Sequence, residues 1–203
     1  MTYVATHLDR VGVLLGQHVF LVAVSLAVAL LIAVPLGVVA AREPRVGTAI
    51  LGVTGALYTI PSLALLALLV AAIGLGAPTA IVALVVYAQM ILIRGVVAGL
   101  RGVDAALVDA ARGLGFTARQ TLLRVEFPAA LPVMLGGVRV ATVSLVALAT
   151  VAAWINAGGL GVLLFEGIGT NNPQKIFAGA LAAAVLAIAA DLSLRAAERA
   201  VRT

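Results

Sequence analysis

Charged side chains are scarce in this chain of 203 residues. Only 10% of its residues are Asp, Glu, Lys or Arg, whereas 64% are hydrophobic. A soluble globular domain is about 45–50% apolar and about 25% charged. So few charged groups could not cover a water-facing surface, which argues against a soluble globular protein, a nucleic-acid binder and a disordered chain. The mean hydropathy of +1.22 indicates a protein whose surroundings are largely lipid.

Groups for covalent or metal chemistry are also lacking. The chain has no cysteine, which excludes disulfides, thiol catalysis and thiolate metal sites. Its two histidines, His7 and His18, both lie near the N-terminus, and we expect them to be interfacial or packed. With only four serines besides, no nucleophile with a neighbouring base can be assembled from the spacing. We therefore expect a protein that is not an enzyme and binds no metal.

Lysine is nearly absent, since Lys175 stands alone beside 12 arginines. It lies in the segment NPQKI (172–176), without the glycines that cradle phosphate in a nucleotide-binding loop. We expect no cofactor in this chain. If its activity uses ATP, the nucleotide and its Mg²⁺ are bound by a partner.

Long uncharged stretches are what the sequence has in abundance. A membrane-spanning helix needs about 20 apolar residues. The stretch 46–93 is too long for one span and breaks at the glycine-containing and proline-containing segment 74–78. We predict an all-α polytopic membrane protein, with residues 1–203 forming one transmembrane domain. Its five predicted spans are at about residues 19–41, 46–73, 78–99, 132–155 and 174–194.

The second predicted span carries a proline, Pro61, at its middle. Proline removes a backbone hydrogen bond and kinks a helix. Three interpretations stay open at this point: a kinked helix with no further role, a bend that lines a substrate path, and two short re-entrant segments.

Basic residues are distributed unevenly between the two sides of a five-span arrangement. Eleven of the 13 lie after span one, in the segment 94–139, or in the tail, and only Arg10 and Lys175 lie on the other side. By the positive-inside rule, this predicts an outside N-terminus and a cytoplasmic C-terminus. The predicted cytoplasmic set is Arg42, Arg45, Arg94, Arg101, Arg112, Arg119, Arg124, Arg139, Arg195, Arg199 and Arg202.

The only long charged segment, residues 101–131, lies between spans three and four. Its alanine-rich part, 103–112, predicts a helix. Gly113 and Gly115 then allow a sharp change of direction, and Thr117 is placed to cap a second short helix over 118–126. We expect Pro128 to end that helix and Pro132 to begin the next span. Such a compact loop is typical of a docking surface, although a solvated connection between two spans stays open.

This segment resembles the EAA loop of ABC-importer permeases. The family pattern is Glu-Ala-Ala, three residues, Gly, nine residues and Ile-x-Leu-Pro. Here the spacing is the same, with Asp, Val and Phe in place of Glu, Ile and Leu. In the family this loop forms the coupling helix, which seats in a cleft of the ATP-binding subunit. The coupling residues that the resemblance implies are Asp109, Ala110, Ala111, Gly113, Gly115, Phe116, Thr117, Arg119, Phe127 and Pro128.

Other segments are similar to the glycine betaine/choline/carnitine permeases in particular. They are YTIPS (58–62), GGVR (136–139) and AGGLG (157–161), and the resemblance covers about residues 15–195. It implies the permease fold of binding-protein-dependent importers, a quaternary-amine osmoprotectant as substrate, and the cytoplasmic membrane of a bacterium or archaeon. The partners it implies are two ABC ATP-binding subunits, a second permease, identical or paralogous, and an extracytoplasmic substrate-binding protein.

Polar groups that could contact a solute within the membrane are few. Aromatic residues make up 4% of the chain, too few for an obvious aromatic cage, so we expect high affinity to reside in the separate binding protein. A carbonyl freed by a proline kink, or a tyrosine face, suits a trimethylammonium group. The candidate path residues, each of which packing or interfacial anchoring could also explain, are Tyr58, Pro61, Ser62, Tyr87, Gln89, Trp154 and Asn156.

Two other kinds of function stay open alongside the osmoprotectant importer. The first is an ABC permease for another small solute, such as an amino acid. The second is an ATPase-independent channel or secondary carrier, which would usually need ionisable groups within the membrane. A membrane enzyme is disfavoured by the poverty of Ser, His and acidic residues. Stimulation of a partner ATPase discriminates the importer from the rest.

Overall fold

The computed structural model describes residues 7–202, with side chains through residue 200, and these residues form helices joined by turns. Arg202, one of the basic residues of the tail, has its side chain outside the described residues. The elements are α1 (Leu8–Arg42), α2 (Pro44–Thr59), α3 (Ser62–Ile73), α4 (Ala77–Arg101), α5 (Ala105–Gly113), α6 (Ala118–Thr121), a π-helical segment (Leu122–Glu126), α7 (Phe127–Ala152), a 3-10 turn (Ala153–Ile155), α8 (Gly161–Gly169) and α9 (Pro173–Arg202).

Helix α1 is longer than the span predicted for it. Its 35 residues extend about 52 Å at 1.5 Å per residue, and it begins about three turns before residue 19. Asp9 lies in its first turn and Arg42 in its last, so each charge opposes the partial charge of the helix dipole at its end. Pro35 lies inside the helix without ending it.

The second apolar stretch is two helices rather than one continuous span. Helices α2 and α3 meet at an angle of 95°, as a broken span or a re-entrant pair. Ile60 and Pro61 between them are extended, because a proline disfavours helical backbone in the residue before it. In the described part of the chain four helices are long and apolar enough to cross a membrane, or five spans if this bent pair counts as one.

The expectation that Pro128 ends the short helix and Pro132 begins the next span is wrong. One helical run extends from Ala118 to Ile155. The π-helical segment explains why, since the Phe127 N–H bonds to the Leu122 carbonyl, five residues back. Pro128 therefore falls at the start of α7, directly after a segment whose five-residue bonding already departs from the regular i→i−4 pattern.

Helix α4 is the centre of the bundle and α9 lies at its edge. More than half of the most apolar window of α4 is buried, against 17% of that of α9. Helix α4 packs against α1 on one side and α7 on the other. A Cβ built on Gly137 would lie 3.1 Å from the Gly95 Cα, so the α4–α7 crossing needs glycine on both helices.

Ion pairs fasten the outer helices to the bundle. Arg139 on α7 bonds Asp191 at 2.8 Å and Glu198 at 2.7 Å, and Arg195 adds a contact to Asp191 at 3.2 Å. Glu166 on α8 pairs with Arg10 and, at 3.4 Å, with Lys175. Arg10 and Lys175 therefore lie at one end of the bundle, opposite the end that holds Arg42.

Candidate functional site

The candidate residues lie at two opposite ends of the bundle and at the bend between α2 and α3. We call the end that holds the C-terminus of α1 and residues 101–126 the loop end. The end that holds residues 153–161 is the turn end. Helix α1 runs from one to the other.

Two capping motifs fix the shape of the loop. Helix α5 begins after Asp104, whose carboxylate accepts from the Ala106 N–H at 2.9 Å. It ends at Gly113 and is followed by Leu114 and by Gly115, which has φ +82°. The Gly115 N–H bonds the Arg112 carbonyl at 2.9 Å and the Phe116 N–H bonds the Ala111 carbonyl at 3.1 Å. This is the Schellman arrangement, in which a glycine adopts the left-handed conformation, so the change of direction expected there is confirmed.

The prediction of Thr117 as a helix cap is also confirmed. Its hydroxyl accepts from the Gln120 backbone N–H at 3.3 Å, while the Gln120 side-chain oxygen Oε1 accepts from the Thr117 backbone N–H at 2.8 Å. Such a reciprocal capping box satisfies two N–H groups at a helix start. Because the Schellman turn and the capping box are adjacent, the loop is ordered by hydrogen bonds among its own residues.

The coupling residues taken from the family pattern fall into an exposed group and a covered group. Leu114, at the tip of the loop, is 77% exposed. Asp109 and Arg112 pair at 3.5 Å and remain largely in solvent. The exposed residues are Asp109, Ala110, Gly113, Gly115, Thr117, Arg119 and Pro128, and the covered or half-covered residues are Ala111, Phe116 and Phe127. We call the exposed tip, residues 109–120, the knob.

Two contacts that sequence reasoning missed attach the loop to α1. Arg101, where the loop begins, donates to the Ala40 carbonyl at 3.0 Å. Glu126, where the loop returns, is 4% exposed and pairs with Arg42. The available signal was an acid placed directly before an apolar span, a position where a charge needs a partner.

At the bend, four of the candidate path residues, Tyr58, Pro61, Ser62 and Tyr87, come together. The rings of Tyr58 and Tyr87 meet edge to face, with centroids 6.0 Å apart. The Tyr87 hydroxyl donates to the Ile60 carbonyl, which lies in the extended link beside Pro61. Ser62 and Tyr87 line a small cavity of about 10 Å³. Tyr58 remains 43% exposed, so it presents part of its ring to whatever lies beside the bend.

Gln89 points elsewhere, although it is two residues from Tyr87. Its amide donates to the Ala29 carbonyl of α1 at 3.4 Å and to the Val85 carbonyl at 3.2 Å. Residues two apart on a helix face different directions. Gln89 therefore lies at the α1–α4 contact, away from the tyrosine pair.

Trp154 and Asn156 lie at the turn end. Trp154 is 56% exposed, and Asn156 adopts the left-handed conformation with φ 59°. The Gly76 N–H bonds the Ile155 carbonyl at 2.8 Å, which attaches the α3–α4 turn to this end. Trp154 and Asn156 therefore lie at a different place from the tyrosine pair at the bend.

The turn end is held by two adjacent polar residues of α1 whose role sequence reasoning missed. The Gln17 side-chain oxygen accepts from the Gly159 N–H at 3.0 Å, and His18 Nδ1 accepts from the Leu160 N–H at 3.2 Å. His18 Nε2 lies 3.0 Å from the Val146 carbonyl. Because Nδ1 accepts, Nε2 carries the proton and donates, so a neutral, fully buried His18 joins α1, α7 and the turn.

Comparison with known proteins finds one family over most of the chain. The profile of the family described as "Binding-protein-dependent transport system inner membrane component" matches residues 33–203. This match includes the loop, residues 101–126, and the turn, residues 153–161.

Curated relatives match nearly the full length. The carnitine transport permease protein OpuCB of Listeria monocytogenes is 37% identical over 88% of this chain and 82% of its own length. The glycine betaine/carnitine/choline transport system permease protein OpuCB of Bacillus subtilis is 34% identical over 98% and 92%. The osmoprotectant import permease protein OsmW of Salmonella typhimurium is 39% identical over 91% and 89%.

A solved structure shares the fold. A chain of the MetNI methionine ABC transporter, in an inward-facing conformation, superposes with a TM-score of 0.87. The alignment covers 96% of this chain and 97% of that one, at 21% sequence identity. At that identity the match establishes the architecture of the helices and nothing about the solute.

Proposed function

We propose that this chain, which belongs to the family of binding-protein-dependent transport system inner membrane components, is the permease subunit of an ATP-driven importer for quaternary-amine osmoprotectants. Its relatives are permeases named for carnitine, choline and glycine betaine. The substrate of this chain is drawn from that chemical class. Transport is the activity of the chain, and a separate subunit hydrolyses ATP.

The exposed knob is the observation that carries the proposal. A channel or carrier does not need a rigid, polar loop on its surface. An ATP-driven permease needs one, because the ATP-binding subunit has to contact the permease in order to move it. The Schellman turn at Gly115 and the capping box at Thr117 hold the knob rigid, and most of its side chains remain in solvent. Two ATP-binding subunits, one on each of two permeases, account for such a surface.

The orientation follows from charge. Arg42, Arg101 and the arginines of the knob lie at the loop end, while Arg10 and Lys175 lie at the turn end. This distribution supports a cytoplasmic loop end and a turn end that faces the extracytoplasmic binding protein. Impermeant labelling of single cysteines at positions 45 and 168 tests it, with reaction from outside expected only at position 168.

The tyrosine pair at the bend is the place in the path that suits the substrate class. A trimethylammonium group binds the face of an aromatic ring by cation–π attraction, and Tyr58 leaves part of its ring exposed. The extended link at Ile60–Pro61 sets this ring beside a break in the helix. Gln89, Trp154 and Asn156 remain candidates for other points of the path.

Reconstitution with the partner subunits tests the function. We expect the binding protein with its ligand to raise ATP hydrolysis, and labelled betaine, choline or carnitine to accumulate. Tyr58→Ala should lower uptake severalfold, whereas Tyr58→Phe, which keeps the ring, should retain it. ATP-independent uptake would instead identify a channel or carrier, and uptake of an amino acid without competition from quaternary amines would reassign the substrate.

A further inference from the structure

Helix α1 is attached to the base of the loop at both points where the loop meets the bundle. At the start of the loop, Arg101 Nη2 donates to the Ala40 carbonyl at 3.0 Å and Nε to the Ala41 carbonyl at 3.5 Å. These carbonyls belong to the last turn of α1, where no intrahelical donor remains. At the end of the loop, Glu126 pairs with Arg42.

The Arg42–Glu126 pair is not an ordinary surface ion pair. Its partners are 84 positions apart in sequence, and Glu126 is buried to all but 4% of its surface. A carboxylate in such a place requires its partner. By contrast, the Asp109–Arg112 pair of the knob is local and exposed on both sides. Movement of the loop base therefore carries the end of α1 with it.

The same helix is attached to the turn end. Gln17 and His18 accept hydrogen bonds from the backbone N–H groups of Gly159 and Leu160, and His18 also bonds the Val146 carbonyl. A Cβ on Gly158 would lie 2.4 Å from the Gln17 side-chain oxygen. From residue 18 to residue 42 the helix extends about 36 Å, which joins the two ends of the bundle by one element.

Two other helical runs also join the ends. Helix α4 begins beside Gly76, whose N–H bonds the Ile155 carbonyl, and ends at Arg101, where the loop begins, whereas α1 is attached at both the start and the end of the loop.

The third connection is less regular where it leaves the loop. The helical run from Ala118 to Ile155 contains the π-helical segment and both Pro128 and Pro132, each of which interrupts the regular i→i−4 hydrogen bonding. Helix α1 has one interior proline, Pro35. The contacts that Arg101 and Arg42 make lie between Pro35 and the loop end of α1.

We propose that α1 is the strut that carries movement of the loop to the turn end, with the Arg42–Glu126 pair as its attachment at the loop and His18 as its attachment at the turn. The inference rests on the proposed importer function, in which the loop is the part that the ATPase moves. It makes Arg42 and Glu126 positioning residues, because they act through α1 and contact neither ATP nor solute.

A fluorescent reporter at the turn end tests the strut in the reconstituted complex. The chain has no cysteine, so Ile168→Cys on α8, at a side chain that is 63% exposed, can carry a single environment-sensitive dye. We expect ATP to change its fluorescence. Glu126→Leu fills the buried site without a carboxylate and should reduce that change by at least half, while ATP hydrolysis stays within twofold of the parent and uptake per ATP falls.

Two further variants separate transmission from other defects. Glu43→Leu removes an exposed carboxylate next to Arg42 that makes no ion pair among the described residues, and it should respond like the parent. The double variant Arg42→Leu/Glu126→Leu leaves no unpaired charge, and its response should be as low as that of Glu126→Leu. If Glu126→Leu fails to assemble, the double variant serves as the test in its place.

The outcomes distinguish the strut from the function beneath it. A parent complex without ATP-dependent uptake would refute the importer. A parent that transports, with a full fluorescence response in the double variant, would refute the strut alone. Hydrolysis, uptake and fluorescence that all fall in proportion would show that the pair only supports assembly, which also overturns the proposal.

Discussion

The loop end and the turn end both reverse the chain at a glycine with φ +82°, yet the two glycines have opposite surroundings. A Cβ on Gly115 at the loop end would meet nothing within 4 Å. A Cβ on Gly159 at the turn end would lie 2.9 Å from His18 Nδ1. The same backbone conformation thus forms an exposed knob in one place and a buried joint in the other.

The difference lies in the range of the contacts that hold each turn. The knob is ordered by hydrogen bonds between residues at most five positions apart, such as those of Gly115 and Thr117. The turn end is ordered by Gln17 and His18, which are 142 positions away in sequence. A surface built by local bonds keeps its side chains free for a partner, whereas a joint built by distant ones passes movement between helices.

The largest effect should come from Gly159→Val. The valine would occupy a left-handed conformation at a cost of about 1–3 kcal/mol, and its Cβ would collide with His18 for about 1–3 kcal/mol more. We expect loss of folded protein, measured as the monodisperse fraction on size-exclusion chromatography in detergent. Gly115→Val is the matched control with the same φ, and equal losses for the two variants would contradict the comparison.

Gly115→Val itself should separate coupling from stability. Only the backbone strain of about 1–3 kcal/mol applies, because the added atoms meet open space, and the strain is confined to the loop. We expect normal insertion and purification but loss of ATP-driven uptake, measured in proteoliposomes with the partner subunits. Uptake and hydrolysis at parental levels would show that the knob does not transmit the ATPase movement.

A smaller effect is expected from the cap of the second loop helix. Thr117→Ala removes the hydroxyl that accepts from the Gln120 N–H, a change worth about 1 kcal/mol. We expect partial loss of stimulated ATP hydrolysis without a change in the thermal midpoint of the bundle. Thr117→Ser keeps the acceptor oxygen and should restore stimulation. A shift of the midpoint would mean that the loop and bundle unfold as one unit.

The knob was predictable from sequence because its determinants are adjacent. Thr117 followed three residues later by Gln120 signals a capping box, and a glycine after an alanine-rich helix signals its end. The five apolar stretches and the break at residues 74–78 likewise appear in a linear reading of hydropathy. The family pattern then supplied the coupling role that is proposed for the loop.

The turn end was not predictable for the opposite reason. Nothing local to His18 indicates that it bonds Leu160, since the contact forms only when α1 packs beside α7. Part of the loop end was missed as well. The helix continues through Pro128 because a π-helical segment directly precedes it, and that segment has no sequence signature. Glu126 was visible as an acid near the membrane, but its partner Arg42 was not.

The smallest effect on stability, and the sharpest probe of the knob, should come from Asp109→Asn. Asp109 and Arg112 pair at 3.5 Å with both side chains mostly in solvent, and exposed pairs of this kind contribute about 0–1 kcal/mol. The variant should therefore keep the thermal midpoint of the parent, as should Arg112→Gln, which breaks the same pair from the other side. Any loss of ATPase stimulation that is specific to Asp109→Asn then measures contact with the ATP-binding subunit, because the pair itself is absent in both variants. We expect a loss of a few fold, and equal stimulation in the parent and both variants would shift the partner contact to the apolar tip at Leu114, which is 77% exposed.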